Sequence, residues 1–515
     1  MYLTQSLHNA LQQDPDRPLT QHQGRVRTVA ESADRIARLA GALQKLRVAS
    51  GGRVGMLALN GDRYHEYLLA VPWADAALAP LNYRWSVPEL THAITEAEIS
   101  VLLVDEPLCG AAQQLREQCA DLHTLIYCGS GTCPLGMLDY EQLITQTAPV
   151  PDARRGGQDL FGIFYTGGTT GTPKGVMLSH DNIHISALGT LVSGDWISSG
   201  GRMLHVAPLF HMAEIFIWLT GQLQNATHLF LPTFTPNQVL HTLQSEHITD
   251  VLLVPTMLQM MVDHPEASRY DLSGVLHVLY GTSPISQPLL ERVRRLFPNA
   301  KFSQAYGMTE LAPVATILRP ADHDQPELRA SAGRAAPHAE VRVVDEDDTE
   351  VTRGTVGEIV ACGDHMMSGY WKRPQESEQA LRGGWMHTGD VGYMNQDGYL
   401  FVVDRLKDMI VTGGENVYSA EVEGALAKHP GVASCAVIGV PDEVWGEKVH
   451  AVVVPRTGHE PSTEELRQHC LTHIAAYKAP RSSELVAELP LASTGKILKR
   501  KLRKAYWPQE NRPIG

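Results

Sequence analysis

The sequence predicts an α/β protein: a large N-terminal region built on parallel sheets, in several subdomains, followed by a small α+β unit. Three observations carry this. Apolar strand-like runs alternate with amphipathic stretches between Gly52 and Asp105. The theme returns at Val206, Leu229, Val251 and Val278. Near Gly354 the texture changes to short strands divided by turns. Strands alternating with helices over short connections favour a parallel sheet covered by helices.

In chain order, Val54 to Leu59 reads as a buried strand and Asp62 to Ala76 as a helix, with Tyr64, Leu68 and Trp73 among its apolar positions. Ala79-Pro80-Leu81 is a short apolar segment, Val87 to Thr95 a helix and Val101 to Val104 a strand. Leu160 to Tyr165 and Val176 to Leu178 read as two strands joined by a glycine-rich loop. Val356 to Val360, Gly392 to Met394 and Tyr399 to Val403 read as short strands, with Asp397-Gly398 as a hairpin turn. The last unit has a helix from Ser419, strands at Ser434 to Val440 and His450 to Pro455, and a helix from Ser462. Ser462 and Glu465 stand at capping-box spacing. The boundary is placed at Asp404 to Asp408, giving domains 1–404 and 405–515.

The chain has 515 residues, 43% of them apolar and 19% charged, so it is long and apolar enough to bury sizeable cores. Its formal net charge of −14 argues against a nucleic-acid binder, which presents a basic face. Seven cysteines, without histidine pairs at zinc spacing, read as reduced cytoplasmic thiols. Met1 to Gln13 lacks the pattern of a signal peptide, and the longest apolar run, Val251 to Val262, is too short to span a bilayer. A cytoplasmic protein without a transmembrane segment is expected, and monomer or homo-oligomer is left open.

The first chemical motif is Thr166-Gly167-Gly168-Thr169-Thr170-Gly171-Thr172-Pro173-Lys174-Gly175. Glycines let backbone amides approach phosphate oxygens, hydroxyls donate further bonds, and a lysine adds a point charge. It is not the Walker loop, because Pro173 precedes Lys174 and Gly175 follows it. Five further strings follow in order: Tyr306-Gly307-Met308-Thr309-Glu310; Thr388-Gly389-Asp390; Asp404-Arg405-Leu406-Lys407-Asp408; Gly413-Gly414-Glu415-Asn416-Val417; and Ser493-Thr494-Gly495-Lys496. Together with the first they resemble the signatures of the adenylate-forming superfamily, in particular its acyl-CoA synthetases and acid–CoA ligases. The resemblance runs over nearly the whole chain.

The resemblance implies an enzyme that joins a carboxylic acid to ATP, releases pyrophosphate, and passes the acyl-adenylate to the thiol of coenzyme A. ATP, magnesium and coenzyme A are the implied cofactors, and a small carboxylic acid the partner. A carboxylate is a poor electrophile that repels the triphosphate, so charge must be neutralised and an in-line geometry held. Glu310 is assigned to magnesium, a hard cation that takes one or two carboxylates plus phosphates. Thr309 and Lys174 are assigned to phosphate. Tyr306 offers a flat face to adenine, with Gly307 and Met308 beside it and Gly281-Thr282-Ser283 on the other side. Asp390 suits the paired ribose hydroxyls and Arg405 adds a donor, although Asp390 on its own reads as a turn residue. Lys496 is the implied catalytic ammonium that the small domain inserts, although the basic run to Lys504 also reads as a solvated helix face. Lys407 matches the family's hinge, about which the small domain turns between half-reactions. Gly413 and Gly414 are assigned to the pantetheine path, and Trp445, Tyr477 and Arg481 to the coenzyme A nucleotide. Ala479 stands where a basic residue is usual in chlorobenzoate-type ligases, and Lys478 is the candidate substitute.

The acid is placed between Pro208-Leu209-Phe210-His211 and Tyr306, with His211 as gate and Met212, Phe216, Met257, Leu311, Ala312 and Pro313 as walls. These apolar walls favour a medium or long fatty acid, or an aryl acid. Glu214 is read either as facing solvent or as rejecting anionic tails. The competing readings are an acyl-AMP ligase that loads a carrier protein and a catalytically silent nucleotide-binding protein.

Overall fold

The computed structural model describes residues 1–166, 173–283, 285–405, 407–413, 415–492 and 496–507. Gly167, Gly168, Thr169, Thr170, Gly171 and Gly414 lie outside the described residues.

Two large sheets carry the N-terminal region. The first is eight-stranded, with the order Gly369–Tyr370, Lys174–Ser179, Leu160–Thr166, Ala77–Pro80, Arg53–Leu57, Val101–Val104, Thr124–Tyr127 and Leu138–Asp139. Its strands run parallel from Leu160–Thr166 onward, and the two strands at the other edge are antiparallel. All four residues of Val101–Val104 are buried, as expected of a strand covered on both faces. The second sheet has nine strands, and its parallel centre is Thr227–Phe230, Arg202–His205, Asp250–Leu252, His277–Gly281 and Lys301–Tyr306. One buried cluster, including Tyr67, Phe164, Phe216 and Trp218, is shared by elements of both sheets.

A four-stranded antiparallel sheet follows, made of Glu340–Val344, Gly357–Cys362, Met386–Met394 and Leu400–Arg405. The small unit is a separate sheet of Glu415–Val417, Ile410–Thr412, Gly446–Pro455 and Val432–Asp442, with Ser482–Leu485 parallel to Gly446–Pro455. Helix Thr463–Leu471 starts at Ser462, whose hydroxyl accepts from the Glu465 amide while the Glu465 carboxylate accepts from the Ser462 amide.

The departures from the sequence reading have local causes. The helix expected over Asp62 to Ala76 ends at Trp73, because Asp75 adopts φ +66° and Ala77 joins the sheet through the Gly52 carbonyl. The apolar run Val251 to Val262 is divided: Asp250–Leu252 is a strand and Pro255–Val262 a helix with proline in its first turn. The strand expected at Gly392 begins at Met386, so Asp390 lies within it, and Asp390 pairs with Arg405 of the neighbouring strand. Among the described residues no helix is long and apolar enough to cross a membrane.

Candidate active site

The antiparallel register puts Asp390 opposite Arg405. The Arg405 Nε lies 3.2 Å from Asp390 Oδ1, and the Tyr306 hydroxyl donates to Asp390 Oδ2 at 2.9 Å. Three residues from three of the sequence motifs thus meet at one carboxylate. The Thr388 hydroxyl accepts from the Asp390 amide at 3.1 Å and fixes the approach to the strand. Tyr306 ends the strand Lys301–Tyr306, and Gly281 pairs with Ala305 on the neighbouring strand. A Cβ at Gly281 would strike the Ala305 carbonyl, and one at Gly307 would strike the Pro313 carbonyl. Glycine is therefore required at both positions by close backbone approach. Thr282 follows with φ +65°, and Thr282 and Ser283 are half-buried.

Glu310 lies in the single turn Thr309–Leu311 and is 5% exposed. The Tyr370 hydroxyl donates to its Oε1 at 2.9 Å, and its carbonyl accepts from the Met367 amide. Burial pushes the Glu310 carboxyl above its usual range, while the Tyr370 hydrogen bond, Arg405 and Lys174 oppose the shift. Lys174 opens the strand Lys174–Ser179, opposite Thr166. Its Nζ lies 5.2 Å from the Tyr370 ring centroid and pairs with Glu376. Among the described residues no group of three or more histidine, cysteine or acidic side chains could hold a metal. Glu310 is a buried carboxylate that could hold a hard divalent cation together with phosphate oxygens and water, a donor set that suits magnesium.

Lys496 reaches this group from the small unit. Its carbonyl accepts from the Ala492 amide at 2.7 Å and Leu491 bridges Ile497, so the lysine sits at the closed end of a hairpin. Burial, first, and then Arg405 lower its pKa to about 8, while Asp390 and Glu310 raise it. Lys407 is also lowered to about 8, again by burial and then Arg405. Its carbonyl accepts from Arg503 at 2.9 Å, and Arg503 also pairs with Asp408.

A second cluster gathers on the small unit. Gly413 has φ +62°, its amide donates to the Trp445 carbonyl at 2.8 Å, and a Cβ there would press on the indole. The Arg481 Cζ stands 4.1 Å from the Trp445 ring centroid. Trp445 and Tyr477 are 41% and 37% exposed, so part of each ring remains accessible to a ligand. Ala479 is fully buried, and Lys478 is tied to Glu421 at 2.7 Å, so neither presents a free cation here.

The proposed acid walls divide. His211, Met257 and Pro313 are half-buried, whereas Met212, Phe216, Leu311 and Ala312 are buried. Phe216 stacks on Trp196 with centroids 6.2 Å apart. Asn60 holds the approach to His211: its amide nitrogen donates to the Ala207 carbonyl at 2.8 Å and its oxygen accepts from the Leu209 amide at 2.9 Å.

Glu214 does not face solvent; it is 1% exposed. Its Oε1 lies 2.7 Å from His205 Nδ1, and His205 Nε2 lies 2.8 Å from His228 Nδ1. Burial pushes the Glu214 carboxyl well up and lowers His205 to about 3, so the neutral acid donates to His205 Nδ1 and the neutral His205 donates from Nε2 to His228. Glu214→Gln retains a donor at the same place and should cost under about 1 kcal/mol. Glu214→Leu leaves His205 Nδ1 without a donor in the core and should cost about 2–3 kcal/mol. Urea unfolding midpoints check this, and equal losses in the two variants would refute the neutral chain.

The family model described as AMP-binding enzyme matches residues 7–371, and the one described as AMP-binding enzyme C-terminal domain matches residues 421–496. The chain belongs to the AMP-binding enzyme family. It is 40% identical over 493 residues to a feruloyl-CoA synthase of Amycolatopsis sp, covering 96% of each chain. It is 33% identical over 521 residues to the fatty acid–[acyl-carrier-protein] ligase ScoC of Streptomyces coeruleorubidus, covering 99% of this chain and 97% of that one. The crystal structure of the anthranilate CoA ligase AuaEII with anthranoyl-AMP superposes with a TM-score of 0.92 at 24% identity, over 98% of this chain and 97% of that one. The AMP-binding enzyme described here is thus an AMP-forming ligase of the adenylate-forming superfamily, on its acid–CoA ligase branch.

Two residues of the site escaped the sequence reading. Tyr370 and Glu376 stand 60 or more positions from Glu310, and only the pairing of Gly369–Tyr370 with Lys174–Ser179 brings them in. The one sequence signal was Gly369-Tyr370-Trp371, an aromatic pair after a glycine within an otherwise polar stretch.

Proposed function

We propose that this enzyme activates a hydrophobic carboxylic acid, aryl or fatty, as its acyl-adenylate and transfers the acyl group to coenzyme A. The observation that supports this reading most is the meeting of Lys496, from the small unit, with the field of Glu310, Asp390 and Arg405. Such a meeting suits the adenylation half-reaction. Asp390 and Arg405 hold the ribose, and Tyr306, facing Gly281 to Ser283, holds adenine. Thr166 to Gly171, Lys174 and Thr309 hold phosphates, and Lys496 offsets the charge that builds at the α-phosphate as the carboxylate attacks. Glu310 would hold magnesium, which when bound supplies positive charge between the phosphates.

In the second half-reaction the domain 405–515 turns about Lys407, withdraws Lys496 and brings Gly413 and Gly414 to the acyl-adenylate. Trp445, Tyr477 and Arg481 receive the coenzyme A nucleotide. His211 gates the tunnel between acid and thiol, and the walls from Met212 to Pro313 hold the acid. The feruloyl-CoA synthase relative supports an aryl acid, and the ScoC relative supports a fatty acid and the alternative in which a carrier protein accepts the acyl group. The seven unpaired cysteines support a cytoplasmic location.

The deciding experiment offers hydroxycinnamic, benzoic and fatty acids with ATP and magnesium, adding either coenzyme A or an acyl carrier protein. AMP and thioester should form with coenzyme A, and most rapidly with an aryl or long apolar acid. Neighbouring chain lengths should differ only about 10- to 200-fold, because one methylene is worth about 1–3 kcal/mol. Thioester formed only on the carrier protein would overturn the choice of thiol. Equal rates with dicarboxylates would overturn the apolar pocket.

A further inference from the structure

The Lys174 ammonium is not idle before a nucleotide arrives. It pairs with Glu376, in the first turn of the short helix Pro374–Ala380, while lying over the Tyr370 ring. Tyr370 in turn donates to Glu310, so a carboxylate occupies this lysine beside the residue assigned to magnesium. The pair is partly open, with side chains 24% and 36% exposed, so an arriving anion can reach it. Glu376 has a second partner: Arg373 Nη1 lies 3.6 Å from its carboxylate. Arg373 itself bonds Glu96 at 2.9 Å. When Lys174 leaves, Glu376 therefore keeps a cation beside it, and no charge is stranded by the exchange.

We propose that Glu376 is a counter-anion that competes with the nucleotide's phosphates for Lys174 and so favours the departure of pyrophosphate. The inference rests on the reading that Lys174 binds phosphate. The physical argument is one of exchange. A triphosphate with its metal brings enough charge to take Lys174 from Glu376. Once the bond between the α- and β-phosphates has broken, pyrophosphate must hold Lys174 against a carboxylate already poised to take it back. The carboxylate also repels the leaving anion. Both effects weaken product binding, and both are screened by salt because the pair is partly exposed.

The test is equilibrium binding of inorganic pyrophosphate, with magnesium, to the full chain, by calorimetry. Wild type, E376Q, K174Q and the double variant are compared, with melting temperatures as a check of folding. E376Q should bind pyrophosphate about two- to fivefold more tightly at low ionic strength, which is the range expected of a partly exposed ion pair. The gain should shrink at high salt and be clearly smaller in the K174Q background, where only the direct repulsion remains. K174Q alone should bind more weakly than wild type. Unchanged or weaker binding by E376Q, with K174Q weakened, would overturn the role of Glu376 and leave Lys174 as a phosphate ligand. A gain of the same size in the K174Q background would also overturn it. Wild-type affinity in K174Q would overturn both readings.

Discussion

Lys496→Ala is expected to slow acyl-adenylate formation by about 100- to 1,000-fold, the scale seen when one preorganised donor is removed from a charged transition state. The acid, the α-phosphate and the departing pyrophosphate all carry negative charge, and Lys496 is the cation that the hairpin of the small unit places in the field of Asp390 and Glu310. Folding should survive the change. The ammonium is held against a burial penalty and beside Arg405, so its removal relieves an unfavourable contact. Pyrophosphate release in a single turnover gives the rate, and the melting temperature gives the control. Thioester formation from synthetic acyl-adenylate and coenzyme A should be affected far less, because the proposed turn about Lys407 withdraws Lys496 for that step. Equal losses in both half-reactions would remove Lys496 from its proposed role.

The same lysine sets a pH dependence. Its pKa is lowered to about 8, and the role proposed for it requires the protonated form. The kcat/KM for adenylation should therefore fall as pH rises through about 8. Bound phosphates favour the ammonium, so the fall in kcat should come at higher pH. Lys407 has the same lowered value, and the variant Lys496→Arg separates the two, because a guanidinium does not titrate in this range. That variant should be slower but should lose the alkaline limb. Unfolding would not produce the limb. Both lysines are lowered in the folded state, so the unfolded chain binds more protons between about pH 8 and 10.5, and their contribution to stability rises with pH across that window.

Much of this site was legible because it is written in short strings. Tyr306 to Glu310 and Thr388 to Asp390 are contiguous, and each delivers its residues from one strand end or turn. The parallel sheets were legible for a similar reason, since a run such as Val101–Val104 has no polar residue to face solvent. What failed is what depends on register and tertiary contact. Asp390 was expected before its strand, yet the bond between Asp390 and Arg405 exists because both lie within paired strands. Tyr370 and Glu376 were missed because nothing local ties them to Glu310 and Lys174. Glu214 could not be placed because its partners, His205 and His228, stand on two different strands and meet it only in the core. Phe216 and Met212 were nominated as acid walls from their place beside Pro208 to His211 and their apolar character; both are buried, and burial is shared by a pocket lining and by core packing.

Glu310→Gln is expected to lower kcat on the order of 100-fold and to raise the magnesium concentration needed for half activity by at least about tenfold. The amide matches the carboxylate in size and still accepts from the Tyr370 hydroxyl, so the turn Thr309–Leu311 should keep its shape. What is lost is the negative charge. Among the described residues no group of three or more histidine, cysteine or acidic side chains stands ready to replace it as a metal site. Tyr370→Phe probes the support of that charge. It strips one donor from a carboxylate that is 5% exposed, which leaves the oxygen unpaired but the charge in place. Its effect should be the smaller one, about tenfold, as for a residue that orients a metal ligand. Magnesium titrations at saturating ATP distinguish the two. A shifted magnesium requirement in both variants, larger in Glu310→Gln, supports Glu310 as the metal-side carboxylate with Tyr370 as its orienting partner. If Glu310→Gln loses activity with an unchanged magnesium requirement, the carboxylate acts on the acid or the nucleotide directly, and magnesium is held by phosphates and water alone.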